Sequence, residues 1–271
     1  MRGRPRSGEL SALAALIHPT ALVDPGVVLG SDVAIGPFAI VEQDVTIGDG
    51  CRIGAHAVIR RYTTLGPRCR VAEHVTLGGE PQDVSFTDQV SYLEIGADNL
   101  IREGVTIHRA TTAGGSTRIG NGNFLMVNCH IAHDCQVGDR VIIANGALLA
   151  GHVAVADRAF ISGNVVIHQF TRVGTLAMVG GLARISQDCL PYMITEGSPA
   201  RARGLNLVGL RRAGFTTETL GSLKQAFRTL FRAGLPLREA LAALEAAPYA
   251  EVNTLAAFVR SSKRGFTHGS A

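Results

Sequence analysis

The chain of 271 residues is long enough for one large domain or two smaller ones, and its 46% of hydrophobic residues excludes general disorder. Glycine is abundant, at 32 residues, but it follows no Gly-X-Y period, which excludes collagen, and no apolar stretch approaches the roughly 18 residues of a transmembrane helix. The net charge is +4, yet residues 201–271 alone carry eleven Lys/Arg against four Asp/Glu. This basic tail fits an anionic partner as well as it fits an ordinary solvated surface.

The first 16 residues precede any regular pattern. They contain basic residues and the apolar run LSALAAL, but Glu9 intervenes and no convincing cleavage site precedes Ile17. We therefore interpret residues 1–16 as an N-terminal extension without a signal peptide, and we expect the protein to be cytoplasmic.

From Ile17 onward an aliphatic residue recurs at every sixth position. The series continues through Val23 and Leu29, resumes at Ile95 after an interruption, and after a second interruption reaches Ile185. The residue two positions before each aliphatic one is small or β-branched, so both point to one side of a short strand. A period of six fits neither an amphipathic helix nor a simple strand. Three such strands make one 18-residue coil of a triangular parallel β-helix.

The repeat predicts a solenoid with two external loops and a helical tail. Residues 78–94 and 111–118 keep the six-residue register but contain loop-forming residues in place of the aliphatic ones. After about residue 205 the repeat stops. Helices are then predicted from Thr216 to Gly234, in PLREALAALEAAP and in EVNTLAAFVRSSKRG. We therefore expect a β-helix over residues 17–205 and a helical domain over residues 206–271.

The five cysteines all occupy repeat positions that require a small inward-facing side chain. They are Cys51, Cys69, Cys129, Cys135 and Cys189. The sequence contains no Cys-x-x-Cys pair, so we expect free buried thiols, not disulfides or a metal site. A reducing cytosol is consistent with this prediction.

Histidines that are scattered along the chain converge when the 18-residue coil is applied. His133 and Gly151 occupy equivalent corner positions in consecutive coils, and Asp134 and His152 share the next corner position. Two further histidines belong to the same surface patch: His130 lies on the strand before the corner, and His168 lies one coil beyond His152. These residues are predicted to span roughly 10 Å along the solenoid axis.

The chemistry of this corner predicts a general base. Asp134 is placed to orient His133, and a neutral imidazole can take a proton from an attacking hydroxyl. Gly151 leaves its backbone N–H unobstructed beside that base, as an oxyanion donor requires. Two alternatives stay open: the histidines are ordinary surface residues, or they bind zinc, as in a histidine-ligated carbonic anhydrase class that also uses hexapeptide repeats. We expect no metal and no cofactor.

Seven strings, in this order, resemble one family. They are PQD at 81–83, IREGVTIHRAT at 101–111, HIAHDC at 130–135, LAGHV at 149–153, VIHQF at 166–170, MVGG at 178–181 and GLRRAGF at 209–215. They are similar to the UDP-N-acetylglucosamine O-acyltransferases that begin lipid A synthesis, and the similarity covers nearly the whole chain from Ile17. The resemblance implies a left-handed parallel β-helix with a small C-terminal helical domain. It also implies a homotrimer with sites between subunits.

The resemblance further implies a reaction and its partners. An acyl group, expected to be a long 3-hydroxyacyl chain, moves from an acyl carrier protein thioester to the 3-hydroxyl of UDP-N-acetylglucosamine. His133 is implied as the general base, Asp134 as its partner and Gly151 as the oxyanion donor. The implied substrate-binding residues are Asp83 for the sugar, His130, His152, His168 and Gln169, Gly181 as the acyl-length ruler, and Asn206 and Arg212 for the nucleotide. No nucleic-acid partner is expected.

The sequence departs from the family pattern at three positions. Ser85 stands where a lysine usually follows the PQD string, and Val208 and Ala213 replace an acidic residue and a second arginine. These changes affect sugar and nucleotide contacts, and they leave the acyl chemistry intact.

Two other functions remain as alternatives. One is a related hexapeptide acyltransferase for a different UDP-amino sugar, including N-acylation. The N-acyltransferase of the same pathway normally carries an additional N-terminal uridine-binding domain, whereas 16 residues precede the repeat here. The other is a non-catalytic scaffold that uses the flat faces of the solenoid for assembly.

Overall fold

The computed structural model describes residues 16–269, in which short strands form the three parallel faces of a β-helix. Of the predicted N-terminal extension, residues 1–15 lie outside the described residues. Successive strands pass to successive faces, so each strand from β1 to β23 pairs with the strand three places later in the chain. The predicted fold class, a left-handed parallel β-helix followed by a small helical domain, is confirmed.

The three faces are described by their strands, numbered in chain order. The first face consists of β1 (Leu16–Ile17), β4 (Ala34–Ile35), β7 (Arg52–Ile53), β10 (Arg70–Val71), β13 (Leu100–Ile101), β16 (Phe124–Leu125), β19 (Ile142–Ile143), β22 (Phe160–Ile161), β25 (Met178–Val179), β27 (Met193–Gly197) and β28 (Ala200–Leu205). The second face consists of β2 (Leu22–Val23), β5 (Ile40–Val41), β8 (Val58–Ile59), β11 (Thr76–Gly79), β14 (Thr106–His108), β17 (His130–Ile131), β20 (Leu148–Leu149), β23 (Val166–Ile167) and β26 (Arg184–Ile185). The third face consists of β3 (Val28–Leu29), β6 (Thr46–Ile47), β9 (Thr63–Leu65), β12 (Tyr92–Ile95), β15 (Ser116–Ile119), β18 (Gln136–Val137), β21 (Ala154–Val155) and β24 (Arg172–Val173).

The core of the solenoid is built from the aliphatic positions of the repeat. Ile131 pairs with Ile107 on one side and Leu149 on the other, and all three side chains are fully buried. The residue before each of them faces outward, which places His130 and Leu148 on the surface of the second face. All five cysteines are buried and none forms a disulfide, in agreement with the sequence.

The chain turns sharply between strands, with a left-handed residue at most corners. Asp134, His152 and Phe170 have φ of 60°, 61° and 63°. Non-glycine residues adopt this conformation only when the surroundings hold it. Hydrogen bonds between coils do so here: the His152 N–H donates to the His133 carbonyl at 3.0 Å, and the Phe170 N–H donates to the Gly151 carbonyl at 3.2 Å.

Two insertions leave the solenoid at the corner between the second and third faces. Thr76 pairs with Thr106 and Thr106 pairs with His130, so these two coils are longer than the others yet stay in register. The loops are shorter than the predicted ranges 78–94 and 111–118, because β11 and β14 extend the second face and β12 and β15 begin early on the third. Both loops emerge at the corner that carries His133, the second loop one coil before it and the first loop two coils before it.

An antiparallel hairpin, β27–β28, and four helices close the described chain. β27 continues the first face by pairing in parallel with β25, and β28, which ends at Leu205, folds back on β27 in antiparallel pairing. The helices are α1 (Leu207–Arg212), α2 (Thr217–Phe231), α3 (Leu237–Glu245) and α4 (Ala250–Arg260). Three of them were expected, and Thr216 caps α2 by accepting a hydrogen bond from the Thr219 N–H at 3.1 Å. None of the four has the length and apolar content needed to cross a bilayer.

Candidate active site

His133, Asp134 and His152 meet at the corner between the second and third faces. His133 Nδ1 lies 2.8 Å from Asp134 Oδ2, and His152 Nε2 lies 3.6 Å from the same oxygen. The two imidazole rings pack edge to face, with centroids 5.4 Å apart. The arrangement predicted from the 18-residue coil is therefore present in a single protomer.

The Asp134 carboxylate is held by the second inserted loop. Thr111 donates to Asp134 Oδ2 twice, from its backbone N–H at 3.1 Å and from its hydroxyl at 2.7 Å. Burial, the largest single effect, opposes ionisation, but the hydrogen bonds from Thr111 and His133 outweigh it and lower the pKa of Asp134. Asp134 is therefore an ionised acceptor at neutral pH.

The ionised Asp134 decides which nitrogen of His133 carries the proton. A carboxylate can only accept, so the neutral His133 imidazole donates its Nδ1–H to Asp134. His133 Nε2 then keeps its lone pair and is free to accept a proton. This is the orientation that a general base requires.

Gly151 provides the surface against which the His133 ring rests. A Cβ at this position would lie 2.4 Å from His133 Cε1 and 2.7 Å from Nε2, so the ring is in contact with the backbone of the next coil. Among the residues that the structure describes, no acceptor takes the Gly151 N–H. A base nitrogen and an available backbone donor thus lie side by side.

His108 extends the cluster and was not among the predicted site residues. Its ring packs edge to face on His130 at 4.9 Å, and His130 Nδ1 lies 2.7 Å from the Thr106 hydroxyl. Burial first, and the neighbouring His130 and His133 second, lower the pKa of His108 to about 4, so it is neutral at physiological pH. Burial and His133 also lower the pKa of His130. The pairing of β14 with β17, which sets Thr106 opposite His130, is the feature that relates His108 to the histidine cluster.

Asp83 lies on the first inserted loop, within electrostatic reach of the corner. Its Oδ1 accepts from the Ser85 N–H at 2.8 Å and from the Ser85 hydroxyl at 2.7 Å. These bonds are the main cause of its lowered pKa, with smaller contributions from His133 and His152. Ser85 therefore holds the Asp83 carboxylate with both its backbone N–H and its hydroxyl.

The coil after His152 brings His168, Gln169 and Phe170 to the same corner, between the second and third faces. Phe170 stacks on His152 with a centroid distance of 4.5 Å and an angle of 13° between the rings. His168 and Gln169 are exposed, with His168 Nδ1 3.3 Å from the Gln169 carbonyl oxygen. This row continues the patch along the solenoid axis.

Two predicted site residues lie on a different face of the protomer. Asn206 and Arg212 line a pocket of about 520 Å³ on the first face, together with Arg140, Arg158, Phe160 and Met178. Asn206 also caps α1, since its Oδ1 accepts from the Gly209 N–H at 3.1 Å and its Nδ2 donates to the Leu176 carbonyl at 3.0 Å. One protomer therefore does not bring this pocket to His133.

Gly181 lies at the corner between the first and second faces, at the opposite edge of the second face from His133. It is exposed, and a Cβ there would meet the Gly163 carbonyl oxygen at 3.5 Å, an ordinary contact. The site accepts a side chain without rearrangement of the backbone.

His133, Asp134 and His152 are also the group within residues 16–269 whose side chains could together hold a metal ion, since their ligand atoms lie within 4.8 Å of one another. Asp134 Oδ2, however, already accepts both Thr111 bonds and the His133 bond. These three bonds saturate the oxygen, so the group is organised to orient an imidazole.

Comparison with known proteins decides the family. A relative in Anaeromyxobacter sp. (strain K) is 50% identical over 254 residues, covering 93% of this chain and 99% of the relative, and is named acyl-[acyl-carrier-protein]--UDP-N-acetylglucosamine O-acyltransferase. The chain belongs to the UDP-N-acetylglucosamine O-acyltransferase family. A relative of the same name in Thiobacillus denitrificans is 51% identical over 254 residues, covering 98% of its length. The alignment with a Synechocystis relative spans 60% of that protein, at 50% identity.

Family profiles and solved structures agree with this membership. The hexapeptide-transferase profile matches residues 26–61, 44–79 and 116–151, and the profile for domain 2 of UDP-N-acetylglucosamine O-acyltransferase matches residues 188–267. The Bacteroides fragilis UDP-N-acetylglucosamine acyltransferase superposes with a TM-score of 0.92 at 38% identity, covering 93% of this chain and all of that one. The Campylobacter jejuni enzyme gives 0.89 at 40% identity, covering 94% of this chain and 100% of its own. The family resemblance stated from the seven strings is confirmed.

Proposed function

We propose that this member of the O-acyltransferase family transfers a 3-hydroxyacyl chain from acyl carrier protein to the 3-hydroxyl of UDP-N-acetylglucosamine, the first step of lipid A synthesis. One observation carries the proposal: His133 Nδ1 lies 2.8 Å from Asp134 Oδ2, which orients the ring with Nε2 free beside Gly151. The names of the relatives supply the substrates. The five free thiols are consistent with a reaction in the reducing cytoplasm.

The geometry supports a direct transfer without an acyl-enzyme. His133 Nε2 removes the proton of the sugar hydroxyl as the oxygen attacks the thioester carbonyl carbon. The carbonyl oxygen becomes an oxyanion that the Gly151 N–H stabilises. When the C–S bond breaks, the protonated His133 gives its proton to the departing thiolate. Ester and free carrier thiol are formed, and His133 returns to its neutral state.

The acceptor contacts come from the loop that carries Asp83 and from the pocket that contains Asn206 and Arg212. Asp83 is ionised and near the base, which suits hydrogen bonding to sugar hydroxyls. Arg140, Arg158 and Arg212 give the pocket on the first face the positive charge that a nucleotide diphosphate requires.

A homotrimer accounts for the separation between the base, His133, and the arginine pocket on the first face. The base lies at the corner between the second and third faces, whereas the arginine pocket lies on the first face. A second copy that places its first face against the second face of its neighbour brings the two together. Apolar side chains on both surfaces support such an interface: Phe124, Ile142, Phe160 and Met178 on the first face, and Leu148 and Val166 on the second.

A direct assay with purified acyl carrier protein thioester tests the proposed function. We expect O-acylation of UDP-N-acetylglucosamine that persists after chelator treatment, because His133 and Asp134 act on each other without a metal. Loss of activity with the chelator and its return with zinc would support the zinc alternative. Transfer to a 3-amino analogue in place of the 3-hydroxyl sugar would identify a different acceptor, and no transfer to either would favour the scaffold.

Charge on α2 is expected to steer the acidic carrier. Lys224 and Arg228 are exposed and four residues apart on one face of the helix, whereas Arg232, four residues further on, lies just past the helix end over Phe227. The double substitution Lys224→Glu, Arg228→Glu should raise KM for the carrier substrate severalfold and flatten its salt dependence, because exposed charges act over a Debye length of about 8 Å. Steady-state kinetics at increasing salt concentrations measure this. Unchanged KM in the variant would place carrier docking elsewhere.

Gly181 is expected to set the acyl length. The residue has no side chain, so the groove stays open at the far edge of the second face, and a donor of about a dozen or more carbons fits along it. The backbone at Gly181 accommodates a methionine side chain, and Gly181→Met should shift the preference toward shorter 3-hydroxyacyl donors by about tenfold or more, since it occludes at least two methylenes and each buried methylene contributes about 0.8 kcal/mol. A donor series compared between wild type and variant measures this. Gly163→Ala serves as a control, and an unchanged preference in Gly181→Met would remove Gly181 from length selection.

A further inference from the structure

We propose that Arg61 and Arg109 are positioning residues for the sugar acceptor. They hold Asp88 and thereby fix the loop that presents Asp83 to the sugar, so the proposal deepens the proposed function and rests on it. Asp83 and Asp88 both lie on the first inserted loop, between β11 and β12. The two arginines lie outside this loop, one on the coil before it and one on the coil after it.

The Arg109 guanidinium is a buried charge that pairs with Asp88. The Arg109 side chain is 1% exposed, and its Nη2 donates to Asp88 Oδ1 at 3.0 Å. A buried cation is costly unless a carboxylate compensates it, so the burial of Arg109 requires Asp88 in this place. The Asp88 backbone has φ of 61°, a left-handed conformation that aspartate and asparagine adopt more readily than most residues.

Arg61 binds the same carboxylate oxygen from another coil. It follows β8 at the corner between the second and third faces, and its Nη2 lies 2.5 Å from Asp88 Oδ1. This hydrogen bond is the main cause of the lowered pKa of Asp88, so the carboxylate is ionised at neutral pH. The Tyr62 ring centroid lies 5.2 Å from the Arg61 guanidinium carbon and 5.8 Å from that of Arg109. We call Arg61, Asp88 and Arg109 the loop clamp.

A four-residue turn connects Asp83 to the loop clamp. The Phe86 N–H donates to the Asp83 carbonyl at 3.0 Å, which closes the turn. The Phe86 ring centroid lies 5.2 Å from the Arg109 guanidinium carbon, a cation–π contact. Arg109 therefore holds the segment at both Phe86 and Asp88, and the position of Asp83 depends on these contacts.

The loop clamp lies outside the aliphatic core. The Asp88 side chain is 60% exposed and that of Arg61 is 30% exposed, so opening the clamp frees the loop and leaves the stacked coils in place. A loop that is ordered for only part of the time binds its ligand with an affinity reduced by the ordered fraction. Saturating acceptor restores the ordered state. Loss of the clamp should therefore raise KM for the acceptor and leave kcat nearly unchanged.

Kinetics of Asp88→Asn test the loop clamp, because asparagine has the same shape and accepts the left-handed backbone but carries no charge. We expect KM for UDP-N-acetylglucosamine to rise about tenfold, with kcat and KM for the acyl carrier within about twofold of wild type. Asp88→Glu, which restores the charge, should recover most of the lost affinity. Arg61→Ala should cause a smaller rise in the same KM. Because Asp88 still compensates Arg109 in that variant, it tests the clamp even if Asp88→Asn does not fold.

A double-mutant cycle shows whether the loop clamp acts through Asp83. On an Asp83→Ala background, Asp88→Asn should cause no further rise in KM for the acceptor, because the contact that the loop presents is already lost. A rise of the same size on both backgrounds would mean that Asp88 acts independently of Asp83, and would overturn the proposal. A lower melting temperature with unchanged KM for the acceptor would also overturn it, since the clamp would then be structural only.

Arg118→Ala is the matched control. Arg118 also pairs with a carboxylate of the preceding coil, with its Nε 3.0 Å from Glu94 Oε2, but both residues lie within strands, β15 and β12. Hydrogen exchange, which needs no turnover, should accelerate about tenfold or more at the amides of residues 80–91 in Asp88→Asn and stay at the wild-type rate in Arg118→Ala. Unchanged exchange in Asp88→Asn overturns the loop clamp. Absence of transfer to UDP-N-acetylglucosamine in the wild type would instead contradict the proposed function.

Discussion

Replacing His133 with alanine is expected to lower kcat by about 10²- to 10⁴-fold while the protein stays folded. The imidazole is at a corner outside the aliphatic core, so its removal leaves the stacked coils in place. What is lost is the free Nε2 that Asp134 and Gly151 hold in position. Initial-rate assays with carrier thioester, together with thermal melting and measurement of the oligomeric state, test both halves of this expectation.

His18→Ala is the matched control for His133→Ala. His18 is also a solenoid histidine, but it is exposed and its Nδ1 interacts with the Thr20 hydroxyl at 2.9 Å, far from the corner. This variant should retain wild-type kcat. Turnover of His133→Ala within a few-fold of wild type would remove His133 from the mechanism, whereas loss of the wild-type oligomeric state would assign it a structural role.

The period of the sequence was sufficient to predict the central contacts of the site. Because each coil advances by 18 residues, His133 and Gly151 had to stack, and so did Asp134 and His152. The structure places Asp134 against His133 and Gly151 beneath the ring. Stacking in a solenoid depends on chain position alone, which is why these contacts follow from sequence counting.

The contacts made by inserted loops could not be obtained in this way. Thr111, which donates twice to Asp134, follows an irregular coil whose path the repeat does not define. The same applies to Ser85, which caps Asp83. Loop residues reach their partners through turns of variable length, and the period gives no information on them.

The helix α1 was missed for a different reason. Six residues are too few for a helical period to appear, and its start depends on the cap that Asn206 provides. The resemblance gave Asn206 a nucleotide role, while the structure adds a structural one, since both polar atoms of its side chain bond to the chain. Substitution of Asn206 would therefore affect α1 as well as any ligand.

Gly151→Ala is expected to reduce kcat by at least about 10²-fold through a single methyl group. The new Cβ would lie 2.4 Å from His133 Cε1 and 2.7 Å from Nε2, so the imidazole must leave its place. Moving the ring breaks its alignment with Asp134, and the methyl also crowds the Gly151 N–H. Loss of a base and of an oxyanion donor each costs about 10² or more. The stability cost should be only about 1–3 kcal/mol, as for other overpacked sites.

Gly163→Ala is the matched control, because Gly163 occupies the equivalent corner position of another hexad. Its added Cβ would meet the Asn145 carbonyl oxygen at 3.4 Å, which is an ordinary contact, so both kcat and thermal stability should stay near wild type. The comparison isolates contact with His133 from the general effect of a corner methyl. If Gly151→Ala folds and its kcat is within a few-fold of the wild-type value, the packing of the His133 ring on Gly151 is not needed for catalysis. The Asp134 hydrogen bond alone would then account for the orientation of the base.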